Sequence, residues 1–565
     1  MNNREQSYNY TTVCFGIALL IPIYFAVVSI NYGLRIEHIV HHDARHHIVW
    51  LQRYIDPDLF PGDLTADYFQ ASGPIGFQSV YWFFAKLGIE PLTLAKFLPL
   101  PIALIASIYW FKLSFHILPS TMGAVVSTLL FNQGLWLRDG VISATPRAYA
   151  ELLLAAFLFH LLKRHNSVVL LIIALQALFY PILVPTLLGI LAIRLLVWSD
   201  KGVTFSKCKR DYLAAITAAT IGVVALVPSF IGASDYGPLV TSVQMKTMPE
   251  FLSTGRSAYY GVGFFQFWLT GDSGLRLPWL PPTLWIGVAL PFLIGSRYMA
   301  GMPILRDKEI LWQVLLVSVG LYVLAHIFFI KLYFPNRHVI YGLQLVITLA
   351  AGIVFTVALK RVWKRTINLL RNNTPRNSGK LIKAGVTSTM LALAAVVPSL
   401  PSVFLGAHYW HVIGDPGVFI WLSNQPKDTQ IASLSGAADN LPSLSLRSVL
   451  IARNTAIPYH HKYYDEIRSR AHDLISAQYT SDNNTLAHIT QKYGIDYWLV
   501  DTGAFSANYI VENDWLMQFL PTATDAVKAM KSGTTPILEV RSETCAVFED
   551  TNLQLIDANC VLEDQ

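Results

Sequence analysis

The sequence is short of charge: only 14% of its 565 residues are Asp, Glu, Lys or Arg, while 53% are hydrophobic. A soluble protein of this size is not built with so little charge, and many apolar runs approach the ~20 residues that cross a bilayer. The composition therefore implies a polytopic helical membrane protein. Cysteine is scarce as well, four in all, which excludes a disulfide-built scaffold. Cys14 lies in the first apolar run and Cys208 in a basic loop, whereas Cys545 and Cys560 are close together near the C-terminus. If that tail is exported, Cys545 and Cys560 pair, and so short a loop contributes roughly 3 kcal/mol; otherwise they stay free thiols. A small-residue cleavage site is missing after the first apolar run, residues 12–30, so that run reads as a retained span.

The net charge of +6 is no nucleic-acid signature, because the basic residues concentrate in short loops between apolar runs. That is the positive-inside pattern. Spans are expected at about 12–30, 92–111, 122–137, 148–162, two within 167–198 broken near Pro181 and Pro185, 212–231, 277–294, 310–331, 339–359 and 386–405, eleven in all. The linker 360–383 carries eight Lys or Arg and no acid, which places it in the cytoplasm. Lys201, Lys207, Lys209 and Arg210 mark a second cytoplasmic loop, Lys163 and Arg164 a third. Counting back puts the N-terminus in the cytoplasm. Residues 32–91, 138–147 and 333–338 and the tail then lie outside, provided the short apolar stretch 73–88 does not cross. Residues 1–407 read as the membrane domain. Residues 408–565 read as an extracytoplasmic α/β domain, with helices at 419–425 and 463–478 and strands at 430–434, 448–452, 497–500, 537–540 and 546–548.

The polar exception is residues 41–70, where five carboxylates and four histidines crowd together. Ionisable groups beside a bilayer are costly unless used or solvated, so this loop is the first candidate site. Asp43 is the candidate general base. It also stands where it could merely cap a helix starting at Ala44. His46 and His47 follow it by three and four residues, on one helical face, where they orient Asp43, join it as metal ligands or are simply solvated. Asp63 and Asp67 are further metal candidates. Other external segments add Arg138, Asp139 and Arg147, then Lys331, Tyr333, Asn336, Arg337 and His338. A carboxylate opposite arginines and a lysine is what a site needs to deprotonate a hydroxyl while holding a phosphate leaving group. Arg337 also reads as an interfacial anchor.

An early Asp in a long first loop (HHDARHH), an apolar stretch ending in Gly (YWFFAKLG), a span opening with LAKFLPLP, an external SATPRAY turn and an external tail together resemble the GT-C glycosyltransferases. Protein O-mannosyltransferases, aminoarabinose transferases and oligosaccharyltransferases share this plan. The resemblance implies a polyprenyl-phosphate-linked sugar donor and a glycan, lipid or protein acceptor. It also puts Asp43 in the place of the catalytic acid, and Lys331 and Arg337 of KLYFPNRH at the donor phosphate. A divalent metal ion would be called for by a diphosphate-linked donor more than by a monophosphate. Two departures stand out: Arg147 occupies a position where related transferases often carry an acid, and the tail has no WWD-type motif. A non-catalytic relative serving as an assembly factor is the alternative. A transporter fits less well, because mid-span ionisable residues are few and related halves are missing. Without retention signals, the expected location is a bacterial plasma membrane.

Overall fold

The computed structural model describes residues 3–36, 38–199, 202–232, 234–278, 280–328, 334–371, 378–400, 410–412 and 416–563. Most of these residues are helical. Five helices, Asn9–Arg35, Pro91–Ile117, Lys209–Pro228, Glu309–Ile327 and Asn336–Arg371, are long and apolar enough to cross a membrane. The other expected spans resolve into shorter pieces. Thr121–Leu137 has 17 residues, and Ala150–Leu162 has 13 and continues a 3-10 turn at Pro146–Tyr149. Residues 166–193 break where expected: Asn166–Phe179 and Val184–Ile193 flank a 3-10 turn at Pro181–Leu183, since proline has no N–H to continue the ladder. The stretch 277–294 holds a 3-10 helix, Pro282–Ala289, followed by a single α-helical turn, Leu290–Leu293. Ile75–Lys86, with 12 residues, rises about 18 Å, well short of the ~30 Å hydrocarbon layer.

The central element is Asn336–Arg371, which packs on Thr121–Leu137, Pro282–Ala289 and Glu309–Ile327. Its glycines set the spacing. A Cβ on Gly342 would lie 2.0 Å from Ser318 Oγ, and one on Gly352 2.6 Å from Ser127 Cβ. Small residues let helices approach where lipid supplies no hydrophobic drive between them.

Strands are few. In chain order β1 is Ile39–His41, β2 Leu196–Ser199, β3 Gly202–Phe205, β4 Trp410–Val412, β5 Gln430–Ser433, β6 Ser448–Val449, β7 Tyr497–Asp501, β8 Ala546–Glu549 and β9 Leu553–Asp557. β2 and β3 form a hairpin. The tail holds a five-stranded sheet of order β6-β5-β7-β9-β8, parallel across β6, β5 and β7 and antiparallel beyond. The strand expected at 537–540 is instead the start of a helix, Ile537–Cys545, which Pro536 caps; proline just before the first turn suits a helix start. β9 was not expected. Its partners β7 and β8 lie on either side of it in space, and that pairing draws NLQLID into the sheet.

The first loop is folded into the tail. β1 pairs antiparallel with β4, Ile39 opposite Val412 and His41 opposite Trp410. Val49, Trp50, Phe60 and Tyr68 of the loop share one buried core with Tyr463, Ile467, Leu474 and Trp498 of the tail. The Tyr68 and Tyr463 rings stack at 3.8 Å. Asp56 pairs with Lys427 at 2.6 Å. Glu250, wholly buried, meets Arg468 at 2.6 Å. This core draws on residues from both sides of the boundary expected between 407 and 408.

Candidate active site

The chain reaches Asp43 from β1 and turns at once into the short helix Ala44–His47. Asp43 occupies the N-cap position, yet its side chain makes no cap hydrogen bond. The carboxylate instead forms an ion pair with Arg147. Its backbone does the local work: the Asp43 carbonyl accepts from the N–H groups of His46 and His47, both at 3.1 Å. The Asp43 N–H donates to His41 Nδ1 at 3.2 Å.

Arg147 stands in the 3-10 turn Pro146–Tyr149 that follows the ATP of SATPRAY. It also lines a cavity of about 320 Å³, together with Arg138, Arg276, Arg337, Glu151 and Tyr341. Burial, and then the nearby charge of Arg337, push the Arg147 pKa below its ordinary value. Four guanidinium groups around one cavity make a receptor for an anion with several oxygens. Arg276 is held by Asp272 at 2.8 Å, and Asn336 donates to the same carboxylate at 3.1 Å. Arg337 lies 5.8 Å from the Phe334 ring and has no ion-pair partner among the described residues.

The structure thus brings Asp43, Arg138, Arg147 and Arg337 together. His338 is elsewhere, buried with Nδ1 3.4 Å from the Thr186 hydroxyl, and it does not line the arginine cavity. Asn336 acts through Asp272. Lys331 and Tyr333 lie outside the described residues. Glu151 and Arg276 were missed. Glu151 is an acid in the first turn of an otherwise apolar helix, a signal that was present. Arg276 closes a turn just before an apolar segment and carries no comparable mark.

One group among the described residues could hold a metal ion, His42 with Asp43 and His46, whose ligand atoms all lie within 4.8 Å of one another. Asp63 and Asp67 do not join it, which corrects their candidacy. Asp63 caps the helix Leu64–Ser72 by accepting from the Thr65 and Ala66 N–H groups at 2.8 and 3.0 Å. Asp67 is tied to Arg53 at 2.6 Å. His46 Nε2 is buried without a hydrogen-bond partner, as a ligand nitrogen would be. Against a cation, Arg147 is on Asp43 and Arg45 lies 2.7 Å from His42 Nδ1. Cys545 and Cys560 are joined in a disulfide.

Burial drives His46 well below 6.5 and His47 to about 4, so both rings are neutral at pH 7. His47 packs edge-on to Phe69 at 5.9 Å, away from chemistry. The linkage has a definite sign. Unfolded histidine binds its proton near pH 6.5 and folded His47 near 4, so the stabilisation is complete above pH 6.5 and is lost as pH falls through about 4. The melting temperature of the solubilised protein is expected to drop over that window, and by less in His47→Gln.

No protein-family model and no curated protein matches the sequence. Solved structures do. An oligosaccharyltransferase of Archaeoglobus fulgidus in its apo form superposes with a TM-score of 0.57 at 12% identity, over 91% of this chain and 72% of that one. The same enzyme tethered by a disulfide to an acceptor peptide with the NVT sequon gives 0.54, at the same identity and coverage. The chain has the GT-C fold. A third structure of that enzyme, in complex with Zn and sulfate, gives 0.52 at 11% identity, over 89% of this chain and 70% of that one. At such identities the likeness establishes the GT-C fold and carries no residue roles.

Proposed function

We propose that this protein is a multi-pass membrane glycosyltransferase that moves a sugar from a polyprenyl-phosphate-linked donor to an acceptor hydroxyl on the extracytoplasmic face. The observation that carries the reading is the Asp43–Arg147 pair at the edge of a cavity with four arginines. The donor phosphate sits among Arg138, Arg147, Arg276 and Arg337. Its sugar then lies toward Asp43, the one carboxylate tied directly to that cavity from the first loop. Asp43 takes the proton of the acceptor hydroxyl as its oxygen bonds to the anomeric carbon. The bond from that carbon to the phosphate oxygen breaks, and the phosphate leaves with the electron pair into the arginine cavity. Arg147 couples the two halves. Before the donor binds it pairs with Asp43, and an arriving phosphate competes for it and frees the base. His46 and His47, neutral and anchored to the Asp43 carbonyl, fix the turn that carries it.

His46 and Asp43, with His42, are the residues that would hold a divalent ion, and the partnerless His46 Nε2 fits one. Such an ion would neutralise charge developing on a diphosphate leaving group. The relative with Zn and sulfate supports both a cation and a tetrahedral anion on this fold. The sidedness follows the charge of the chain: the basic linker 360–383 is cytoplasmic, and the loop that carries Asp43 is outside. Mass spectrometry of envelope glycans and lipid-linked sugars from a deletion strain tests the reading. The expected outcome is a glycan one sugar short and a polyprenyl-linked sugar that accumulates. Unchanged glycans and lipids would favour a non-catalytic assembly role.

A further inference from the structure

A second cavity, about 620 Å³, lies on the other side of Asp43. His41 and Ala44, which flank Asp43 in sequence, form part of its wall, while the Asp43 carboxylate faces Arg147 and the arginine cavity. The larger one is built where the helices Asn9–Arg35 and Pro91–Ile117 meet the first loop. Two of its lining residues are cations, Arg35 and Lys96, and neither side chain makes a hydrogen bond or an ion pair among the described residues. The acid beside them, Glu90, accepts from Gln52 at 2.6 Å and Thr93 at 2.9 Å, and its charge also acts on Lys96 without a direct ion pair. Trp410 closes the far side, its ring packed so near the first helix that a Cβ on Gly33 would lie 3.0 Å from it.

Arg35 at the end of one helix and Lys96 near the start of another, neither ion-paired among the described residues, fit a phosphate. The apolar surface beside them fits a lipid. Leu34 on the wall is 54% exposed, and Leu87, Ile89 and Phe97, flanking Glu90 and Lys96 in sequence, are 63%, 38% and 42% exposed. We infer that this cavity is a binding site for an anionic lipid, its phosphate held by Arg35 and Lys96.

Native mass spectrometry of the full-length protein from phosphatidylcholine nanodiscs doped with phosphatidylglycerol tests it. The wild type should retain phosphatidylglycerol, and Arg35→Gln/Lys96→Gln should bind it at least roughly tenfold more weakly, the scale of losing charge-assisted hydrogen bonds. Arg337→Gln should leave this site intact. Arg35→Lys/Lys96→Arg, which keeps both charges, should bind as the wild type does and guards against a misfolded double variant. Equal binding by the wild type and the Gln double variant would overturn the inference. So would displacement by millimolar inorganic phosphate, which would make the ligand a free anion and not a lipid. Neither readout needs turnover, so failure here leaves the transferase reading standing, and unchanged glycans in a deletion strain would sink that reading without touching this binding result.

Discussion

Asp43→Asn is expected to abolish complementation of a deletion strain while the protein accumulates in the membrane at the wild-type level. The substitution keeps shape and removes the carboxylate's capacity to accept a proton. Loss of a positioned general base costs about 10²–10⁴-fold, enough to leave the glycan one sugar short. Stability should barely change. Asp43 makes no helix-cap bond, and its backbone contacts to His41, His46 and His47 survive in Asn. The change does remove the Asp43 carboxylate from Arg147, but Glu151 lines the same cavity and remains. A fully active Asp43→Asn protein would remove the base from the mechanism and leave the loop a structural one.

Arg337→Gln should produce the second large effect, a fall of about 10²–10³-fold in transfer, the scale for removing one preorganised donor to developing negative charge. Arg337 is the sharper probe among the arginines. Arg276 is held by Asp272 and Arg147 by Asp43, so changing either disturbs a carboxylate as well. Arg337 lacks an ion-pair partner among the described residues. Its loss should be seen in cells as accumulation of the lipid-linked sugar. Arg337→Lys should recover only part of the activity, because one ammonium cannot reproduce a bidentate contact to phosphate.

Much of this was legible in the chain. The first loop advertised itself because carboxylates and histidines are rare in so apolar a sequence, and the breaks at Pro181 and the basic linker follow from local chemistry. What stayed hidden depends on distance along the chain. Arg45 bonds Asn440, 395 residues away, at 2.5 Å, and Tyr68 stacks on Tyr463; no local pattern announces that a loop will become part of a distant domain's core. The Asp43–Arg147 pair was missed for the same reason. Arg147 was noted as a departure from an expected acid, and only the fold shows that it answers the acid in the first loop. Asp63 misled because an N-cap and a metal ligand look alike in sequence, and the difference lies in two backbone N–H groups. The strand expected at 537–540 became a helix because its β-branched residues follow Pro536 and continue into residues with no alternating pattern.

The most direct test of the account is to purify Asp43→Asn protein from cells that make the natural donor and weigh what remains bound. If Asp43 carries out the chemistry and the arginine cavity holds the donor, the variant should retain an intact polyprenyl-phosphate sugar. Adding Arg337→Gln should then release that sugar, and the wild type should carry the spent lipid phosphate or nothing. An Asp43→Asn protein with no lipid-linked sugar, indistinguishable from its Arg337→Gln double variant, would contradict the account.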